Sequence, residues 1–499
     1  MAVQKLVEIG VTIVSVVCDA PQVQLSMMKK LGADLDPEAV KTTICEDMQE
    51  SSIHFVHDMC HCIKNVRNAW AHLKVIKNAN GDNIDWRYIE ELVNLQSEEQ
   101  LHSGNKLTYK HIYFKNQIMK VNLAVQVLSR SVGKSLKFCR EVLKLPQFAG
   151  SEATEEFCYF INDIFDLLNS RYPTFKGYMS PLSAFNVDMW SPAFERTKNF
   201  ISGLQSLDGK NIVKYNSRKA GFLGIICNIA AVTQIFNETV VNGFLTYLLT
   251  YKLSQDHLEH FFGLIRSRFG ANNNPTPLQF KNTYRRLLLG ITNNIVHNAN
   301  VLIQDNSEIV ALVPSVQDKI NYICDIYDFD DVTVDDIKNV TFTEYKKNVV
   351  EYVSGFVVKQ ILQKLNCDLC VSFIKIKQPE SITLTKTKDF GNFLTYPSPF
   401  VLKITETSEK IIEIELKEKN WLTKKYYVDY LILKIITNFV SVHGNCFKSM
   451  DNHAYELTKQ VISCYTCIRM KHHAKLQNEN LKKNRLRSKL SKLILQNNQ

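Results

Sequence analysis

The run VTIVSVV, residues 11–17, consists almost wholly of β-branched residues and stops just short of Asp19. Side chains of this kind are stiff at χ1 and suit a pleated, half-buried surface, so the run reads as a strand delivering a carboxylate at its C-terminal end. The arrangement recurs in SIHFVHD, where a short strand over 53–56 runs into a helix that starts near Asp58. Open α/β sheets carry their chemistry beyond the C-terminal ends of their strands, so two strand ends bearing Asp point to a βα unit with a candidate site at one edge. Gly10 reads as the stop of a helix before the first strand, and Gly32 ends the helical pattern VQLSMMKKLGA after it. In the helix that follows Asp58, the side chains of Asp58, His61, Lys64, Arg67 and Asn68 place many of their polar groups on one flank.

From about residue 71 to 250 the pattern changes to helices, with few convincing strands. The most regular stretches are IMKVNLAVQVLSRSVGKSLKF and ATEEFCYFINDIFDLLNSRY, which suggests a helical domain inserted into an α/β one. Within the first of these, SVGKS (Ser131 to Ser135) lacks the leading glycine of a phosphate-cradling loop and sits in a helical pattern, so it reads as helix. Beyond residue 300 acidic loops (DIYDFDDVTVDD), helices (YKKNVVEYVSGFVVKQILQKL) and alternating segments such as KIIEIELKE are mixed, without a repeat of fixed period.

A chain of 499 residues that is 45% hydrophobic can bury several cores, which excludes a disordered protein. No stretch reaches the roughly 18 uninterrupted apolar residues of a membrane span, so no membrane partner is expected. The longest candidate, VNGFLTYLLTYKL from Val241, reads as a buried helix. The opening residues include Glu8 and lack a small-residue cleavage site, so they read as domain interior rather than a targeting signal.

The net charge of +10 permits a polyanionic partner such as nucleic acid. Its one clear concentration runs from Arg469 to Lys492, with nine Lys or Arg against Glu479 alone. Phosphate contact, nuclear targeting and a solvated terminal helix all fit that run. Thirteen cysteines without a disulfide-like spacing suggest a reducing compartment. Cys367/Cys370 and Cys464/Cys467 have the spacing of zinc-chelating pairs, although the distance between the pairs favours incidental or packing cysteines.

SQDHLEHFFGLIRSRFGANNNP, residues 254–275, concentrates charge beside an apolar stripe. Ser254 reads as an N-cap, and Leu258, Phe261, Phe262, Ile265 and Phe269 recur at helical spacing, so the stripe is expected to be buried. Glu259 lies beside the stripe, with Gly263 one turn later leaving it unshielded, and is expected to face a cleft. Asp256, one turn earlier, either pairs with it around a divalent cation or answers the helix macrodipole. TPLQFKNTYRRLLLG then forms a second amphipathic helix with Pro277 in its first turn.

Taken in order, Asp19, HDMCHCIKNVRN, KHIYFKNQIMKVNLAVQVLS, FDLLNSR, LSQDHLEHFFGLIRSRFGANNNPTP and the terminal RLRSKLSKLIL resemble the P-element-type DNA transposases, including the THAP-domain transposase group. The resemblance implies an α/β plus mostly α fold: an incomplete RNase H-like core interrupted by a large helical insertion of GTP-binding type, then a mainly helical C-terminal region. The corresponding boundaries are 1–70, 71–250, 251–295 and 296–499 with the basic tail. It also implies GTP-assisted DNA cleavage and strand transfer, with three acidic residues holding divalent metal, Mg2+, and DNA, GTP and further copies of the chain as partners in a nucleus. By motif position Asp19 is similar to the second catalytic and metal-binding carboxylate and Glu259 to the third, while Asp256 is similar to a residue near the nucleotide and its metal. The first carboxylate belongs to an earlier strand, and the chain begins at Met1 just before the strand of Asp19. The expectation is therefore a transposase or derived remnant that does not cleave DNA on its own, without the zinc-coordinating THAP module and dimerising segment, or a host-adopted non-enzymatic DNA- or protein-binding protein of the same descent. The turn CDAPQVQ departs from the family pattern at Pro21 and Gln24. Asp58 is a competing placement for a metal ligand, although the family resemblance gives it a structural or substrate-side place.

Overall fold

The computed structural model describes residues 2–19, 22–44, 52–267, 274–288, 332–365, 367–379, 381–417, 427–443 and 452–484. They fall into two compact units, one drawn from Met1–Glu90, Tyr109–Gly133 and Gly150–Ile309, the other from Glu91–Thr108, Lys134–Ala149 and Val310–Gln499. Up to residue 288 the elements are α1 (Ala2–Glu8), β1 (Ser15–Cys18), α2 (Gln22–Lys30), β2 (Thr43–Ile44), β3 (Ile53–His57), α3 (Met59–Leu73), β4 (Val75–Lys77), β5 (Asn83–Asp85), α4 (Arg87–Glu98), α5 (Tyr109–Ile112), α6 (Val121–Val127), α7 (Arg130–Lys137), α8 (Glu152–Leu168), α9 (Val187–Ser202), β6 (Gln205–Ser206), α10 (Ile212–Tyr215), α11 (Ala220–Phe236), α12 (Asp256–Ser267) and α13 (Pro277–Leu288). The chain is mostly helical with few strands.

In the first unit β3 is the centre of a three-stranded sheet of order β1-β3-β2. β1 runs parallel to it, pairing Ser15 with His54 through Cys18 with His57, while β2 is antiparallel on the other side. Both strands read from β-branching are present, and Gly10 and Gly32 take the left-handed φ values of 81° and 109° that end the flanking helices. All five residues of β3 are buried, as a central strand covered by helices requires.

The cover is α11, which packs on both β3 and α3. Extended by a π turn to Val241, it forms a 22-residue segment, apolar and long enough to cross a membrane, with an apolar window of mean hydropathy 1.5; yet 72% of that window is buried within the protein, as a core helix requires. Two glycines bring it close to α3. A Cβ added at Gly221 would stand 2.6 Å from the Val66 nitrogen and 2.7 Å from the Cys62 oxygen, and one at Gly224 would stand 2.6 Å from Cys62 Sγ. Asn228, a polar residue on this apolar helix, donates through Nδ2 to the His57 carbonyl and accepts through Oδ1 from the His57 N–H, both at 2.8 Å. Two buried backbone groups at the end of β3 are thereby satisfied.

Several expectations give way to tertiary packing. Residues 71–250 contain a second small sheet, β5-β4-β6, beside an aromatic core in which Trp70 lies edge-on to Trp86 and Phe157 at 4.9 and 5.0 Å. Three-residue strands lie below what periodicity can detect. The stretch 118–138 is broken into α6 and α7, with a π turn from Phe138 to Val142. VNGFLTYLLTYKL, expected as a buried helix, is an exposed turn at Val241–Tyr247 followed by a 3-10 turn over Thr250–Leu253, and Phe244 is 79% exposed. Of the stripe on α12, Ile265 is buried, but Leu258 and Phe262 are exposed. Phe261 and Phe262 instead meet Tyr284 and Phe280 of α13 at ring distances of 5.8 and 6.1 Å, and Phe269 lies outside the described residues.

In the second unit, helices Glu344–Leu362, Pro399–Leu416, Tyr427–His443 and Asn452–Asn484 pack together. Residues 410–416 of the alternating KIIEIELKE form the end of the Pro399–Leu416 helix. Its buried residues Ile404, Ser408, Ile411, Ile412 and Glu415 follow helical spacing, and Glu415 is buried because Lys434 meets it at 2.7 Å. A paired buried glutamate looks, in sequence, like the polar half of a strand. Arg469, the first residue of the basic run, is likewise a core residue, and residues 485–499 with RLRSKLSKLIL lie outside the described part.

Candidate active site

Because β1 and β3 are parallel and Cys18 pairs with His57, the next residue of each strand, Asp19 and Asp58, emerges at the same end of the sheet. The Asp58 N–H donates to the Cys18 carbonyl at 3.0 Å, carrying the pairing one step further. Asp58 is the N-cap of α3: its Oδ1 accepts from the Cys60 N–H at 2.8 Å. Its Oδ2 accepts from the Gln255 N–H at 3.3 Å, immediately ahead of α12. One buried carboxylate thus caps one helix and seats the start of another.

His61, one turn into α3, brings Nδ1 into contact with the Asp19 carboxylate and within 3.8 Å of Asp58 Oδ2. Among the described residues Asp19, Asp58 and His61 are the grouping of three metal-capable side chains, with ligand atoms within 4.8 Å of one another. Lys64 follows a turn later. Burial lowers its pKa, opposed by Glu259 first and then by Asp58 and Asp19, so all three carboxylates act on one ammonium. The Cys60 thiol is pushed up to about 12 by burial and by Asp58 and Asp256, against the pull of Arg171, and is no nucleophile at neutral pH.

Glu259 is exposed on α12 and acts electrostatically on this cluster, but lies outside its 4.8 Å ligand grouping. Asp256 is engaged by Arg171, whose Nη2 donates to Oδ2 at 2.9 Å. Of the polar flank of α3, Asp58, His61 and Lys64 belong to the cluster. Arg67 turns away, donating to the Ile118 carbonyl at 3.1 Å and stacking 3.9 Å over Phe114. Sequence reading set Lys64 on one flank with Asp58 and His61 through their i, i+3, i+6 spacing, without a chemical role, and gave no part to Arg171, whose approach to Asp256 spans 85 positions.

SVGKS forms part of α7, as its periodicity indicates. Gly133 is pressed against Tyr159, Lys134 Nζ donates to the Lys388 carbonyl at 2.9 Å, and Ser135 Oγ donates to the Ser103 carbonyl at 3.1 Å. These contacts are those of a packed helix, not of a phosphate loop. The ten described cysteines form no disulfide, and among the described residues the two C-x2-C pairs form no common cluster.

Three family models match the chain: TNP-like, GTP-binding insertion domain over residues 60–181; TNP-like, RNase H C-terminal domain over 251–285; and DNA transposase THAP9, C-terminal domain over 341–475. The chain is 26% identical over 506 residues to DNA transposase THAP9 of Homo sapiens, covering 95% of this chain and 55% of the relative. To the Transposable element P transposase of Drosophila melanogaster it is 28% identical over 345 residues, covering 67% and 44%. It therefore spans about half the length of these curated relatives. A chain of the solved Drosophila P element transposase strand transfer complex superposes with a TM-score of 0.50 at 27% identity, covering 57% of this chain and 62% of that one.

Proposed function

The chain belongs to the P-element-type transposase family and carries that family's GTP-binding insertion domain, and from this premise we propose that it binds DNA and a divalent cation, with Asp19 and Glu259 as the metal-holding carboxylates and Asp256 on the nucleotide side. The observation that carries the reading is the parallel pairing of β1 with β3, which brings Asp19 and Asp58 out at one end of the sheet, where Asp58 accepts from the Gln255 N–H just ahead of the Glu259 helix. In the domain plan, 1–70 is the first part of an incomplete RNase H-like core, 71–250 the GTP-binding insertion, 251–295 the return of the core with the Glu259 helix, and 296–499 the C-terminal region. The matched ranges 60–181, 251–285 and 341–475 support that order.

A divalent cation such as Mg2+ supplies, when bound, polarisation of a scissile phosphodiester. The chain's own part is to hold that charge with Asp19 and Glu259, while the Lys64 ammonium offsets the clustered carboxylates. Arg171 holds Asp256 beside the site. DNA and GTP as partners, a nuclear location and self-association follow from the family in the same way.

Asp19 and Glu259 stand in two of the family's catalytic motif positions, but Glu259 lies outside the 4.8 Å ligand grouping of Asp19, so the expected behaviour of this 499-residue polypeptide is DNA binding without autonomous cleavage. The alternative reading is a host-adopted, non-enzymatic DNA- or protein-binding protein of the same descent. The test is a duplex-DNA assay with Mg2+ or Mn2+ across a salt series. Salt-sensitive binding without nicking is the expected result. Metal-dependent nicking that disappears in Glu259→Ala overturns the non-cleaving assignment and makes the chain an enzyme.

A further inference from the structure

Asp58 and His61 have no chemical part in the reading above, yet they stand closer to Asp19 than the ligand grouping brings Glu259. We infer that Asp19, Asp58 and His61 form a three-donor cation site suited to a borderline divalent ion such as Mn2+ or Zn2+ rather than to Mg2+. The inference shares Asp19 with the proposed function and rests on that reading only there.

Two donors bound to one ion at about 2.1 Å can stand no more than about 4.2 Å apart. His61 Nδ1 and Asp58 Oδ2, at 3.8 Å, already satisfy that limit. Asp19 touches the same imidazole nitrogen and is half exposed, so its carboxylate can adjust by side-chain rotation. The donors sit on fixed elements: Asp58 at the end of β3 is 2% exposed, and His61 is one turn into the helix Asp58 caps. The N–H groups of Cys60 and Gln255 orient the Asp58 carboxylate as outer partners orient a metal ligand, and each oxygen retains a second lone pair.

The donor set decides the class of ion. An imidazole nitrogen beside two carboxylates suits Mn2+ or Zn2+, whereas Mg2+ prefers oxygen ligands and keeps its waters. The exposed side of Asp19 leaves coordination positions open to water or a phosphate oxygen. Because Asp58 Oδ2 also accepts from Gln255, an ion here shares an atom with the seat of the helix bearing Glu259.

The test is Mn2+ titration of the full chain, read from loss of the free-ion EPR signal, with electron spin echo modulation to detect a directly bound nitrogen. Expected is one tightly bound Mn2+ with nitrogen coupling. His61→Gln removes the coupling and weakens binding by about tenfold or more. Asp58→Asn, which retains a capping oxygen, weakens it similarly, while circular dichroism verifies that both variants are folded. Glu259→Gln leaves the coupling in place. Absence of nitrogen coupling in the wild type, or undiminished binding in His61→Gln, overturns the inference. If Glu259→Gln abolishes binding and His61→Gln does not, the site of Asp19 with Glu259 stands and this one falls.

Discussion

Among the described residues the most deeply buried carboxylates of the two units, Glu409 and Asp58, are handled in opposite ways. Glu409, on the Pro399–Leu416 helix, is fully buried and accepts from Arg469 Nε and Nη2 at 2.8–2.9 Å and from the Tyr465 hydroxyl at 2.8 Å. Burial pushes its pKa up, but the charge of Arg469 and the hydrogen bonds from Arg469 and Tyr465 outweigh it, so the group stays below the usual carboxylate range. Asp58 is almost as deeply buried, but its hydrogen-bond donors among the described residues are two backbone N–H groups, and the His61 ring stands 3.8 Å from its Oδ2. A guanidinium consumes the charge and directionality of a carboxylate, whereas amides orient it and leave its charge to a further partner. Burial alone marks neither role; the identity of the donors does.

The largest expected effect is on the saturated acid. Arg469→Met leaves Glu409 buried without its cation and should cost on the order of 3–5 kcal/mol in chemical denaturation. A loss below about 1 kcal/mol would mean that water reaches Glu409 and that the contrast with Asp58 is false.

Next is the floor of the strand-end site. Burial pushes His57, beside Asp58, from 6.5 down to about 4, so its proton is bound more readily by the unfolded chain. Its contribution is therefore fully present above pH 6.5 and is lost as pH falls toward 4, by roughly 3 kcal/mol in total. His57→Leu should flatten acid destabilisation across that window, and an unchanged pH profile would place the ring in contact with water.

Asp58→Ala, by removing the cap, should cost about 1–2 kcal/mol, while Asp58→Asn stays within about 0.5 kcal/mol of wild type because an amide oxygen also caps. Equal losses in the two variants would show that the negative charge stabilises the fold, as it does at Glu409. Smallest is Arg171→Ala: its pair with Asp256 is partly exposed, so the thermal shift should correspond to less than about 1 kcal/mol. A larger loss would turn Asp256 into a structural anchor of the Glu409 kind.

Legibility in the sequence followed the range of the interaction. The strands before Asp19 and Asp58, the helix start near Asp58 and the glycine stops were readable because β-branching, helical periodicity and positive φ act within a few residues. The α12 helix was readable, but its burial was not: an apolar stripe states that a partner is needed and does not name it, and here Phe261 and Phe262 meet the aromatic face of α13. KIIEIELKE misled because Glu415 occupies a core position, which becomes intelligible only with Lys434 beside it. The small sheet at Val75–Lys77, Asn83–Asp85 and Gln205–Ser206 needs a strand more than a hundred residues away, beyond any local window.

Taken alone, the sequence determined that two strands end in carboxylates, that one of these stands at the start of a helix carrying His61 and Lys64, and that a later acidic helix bears Asp256 and Glu259, because each depends on neighbouring residues. The tertiary structure alone decided which groups meet. Parallel pairing of Cys18 with His57 sets Asp19 beside Asp58 and His61. Arg171, 85 positions from Asp256, captures that carboxylate, and the Gln255 N–H reaches Asp58 across 197 positions. Such contacts reflect how surfaces distant in sequence are brought together when a core is buried, and local spacing carries no record of that distance.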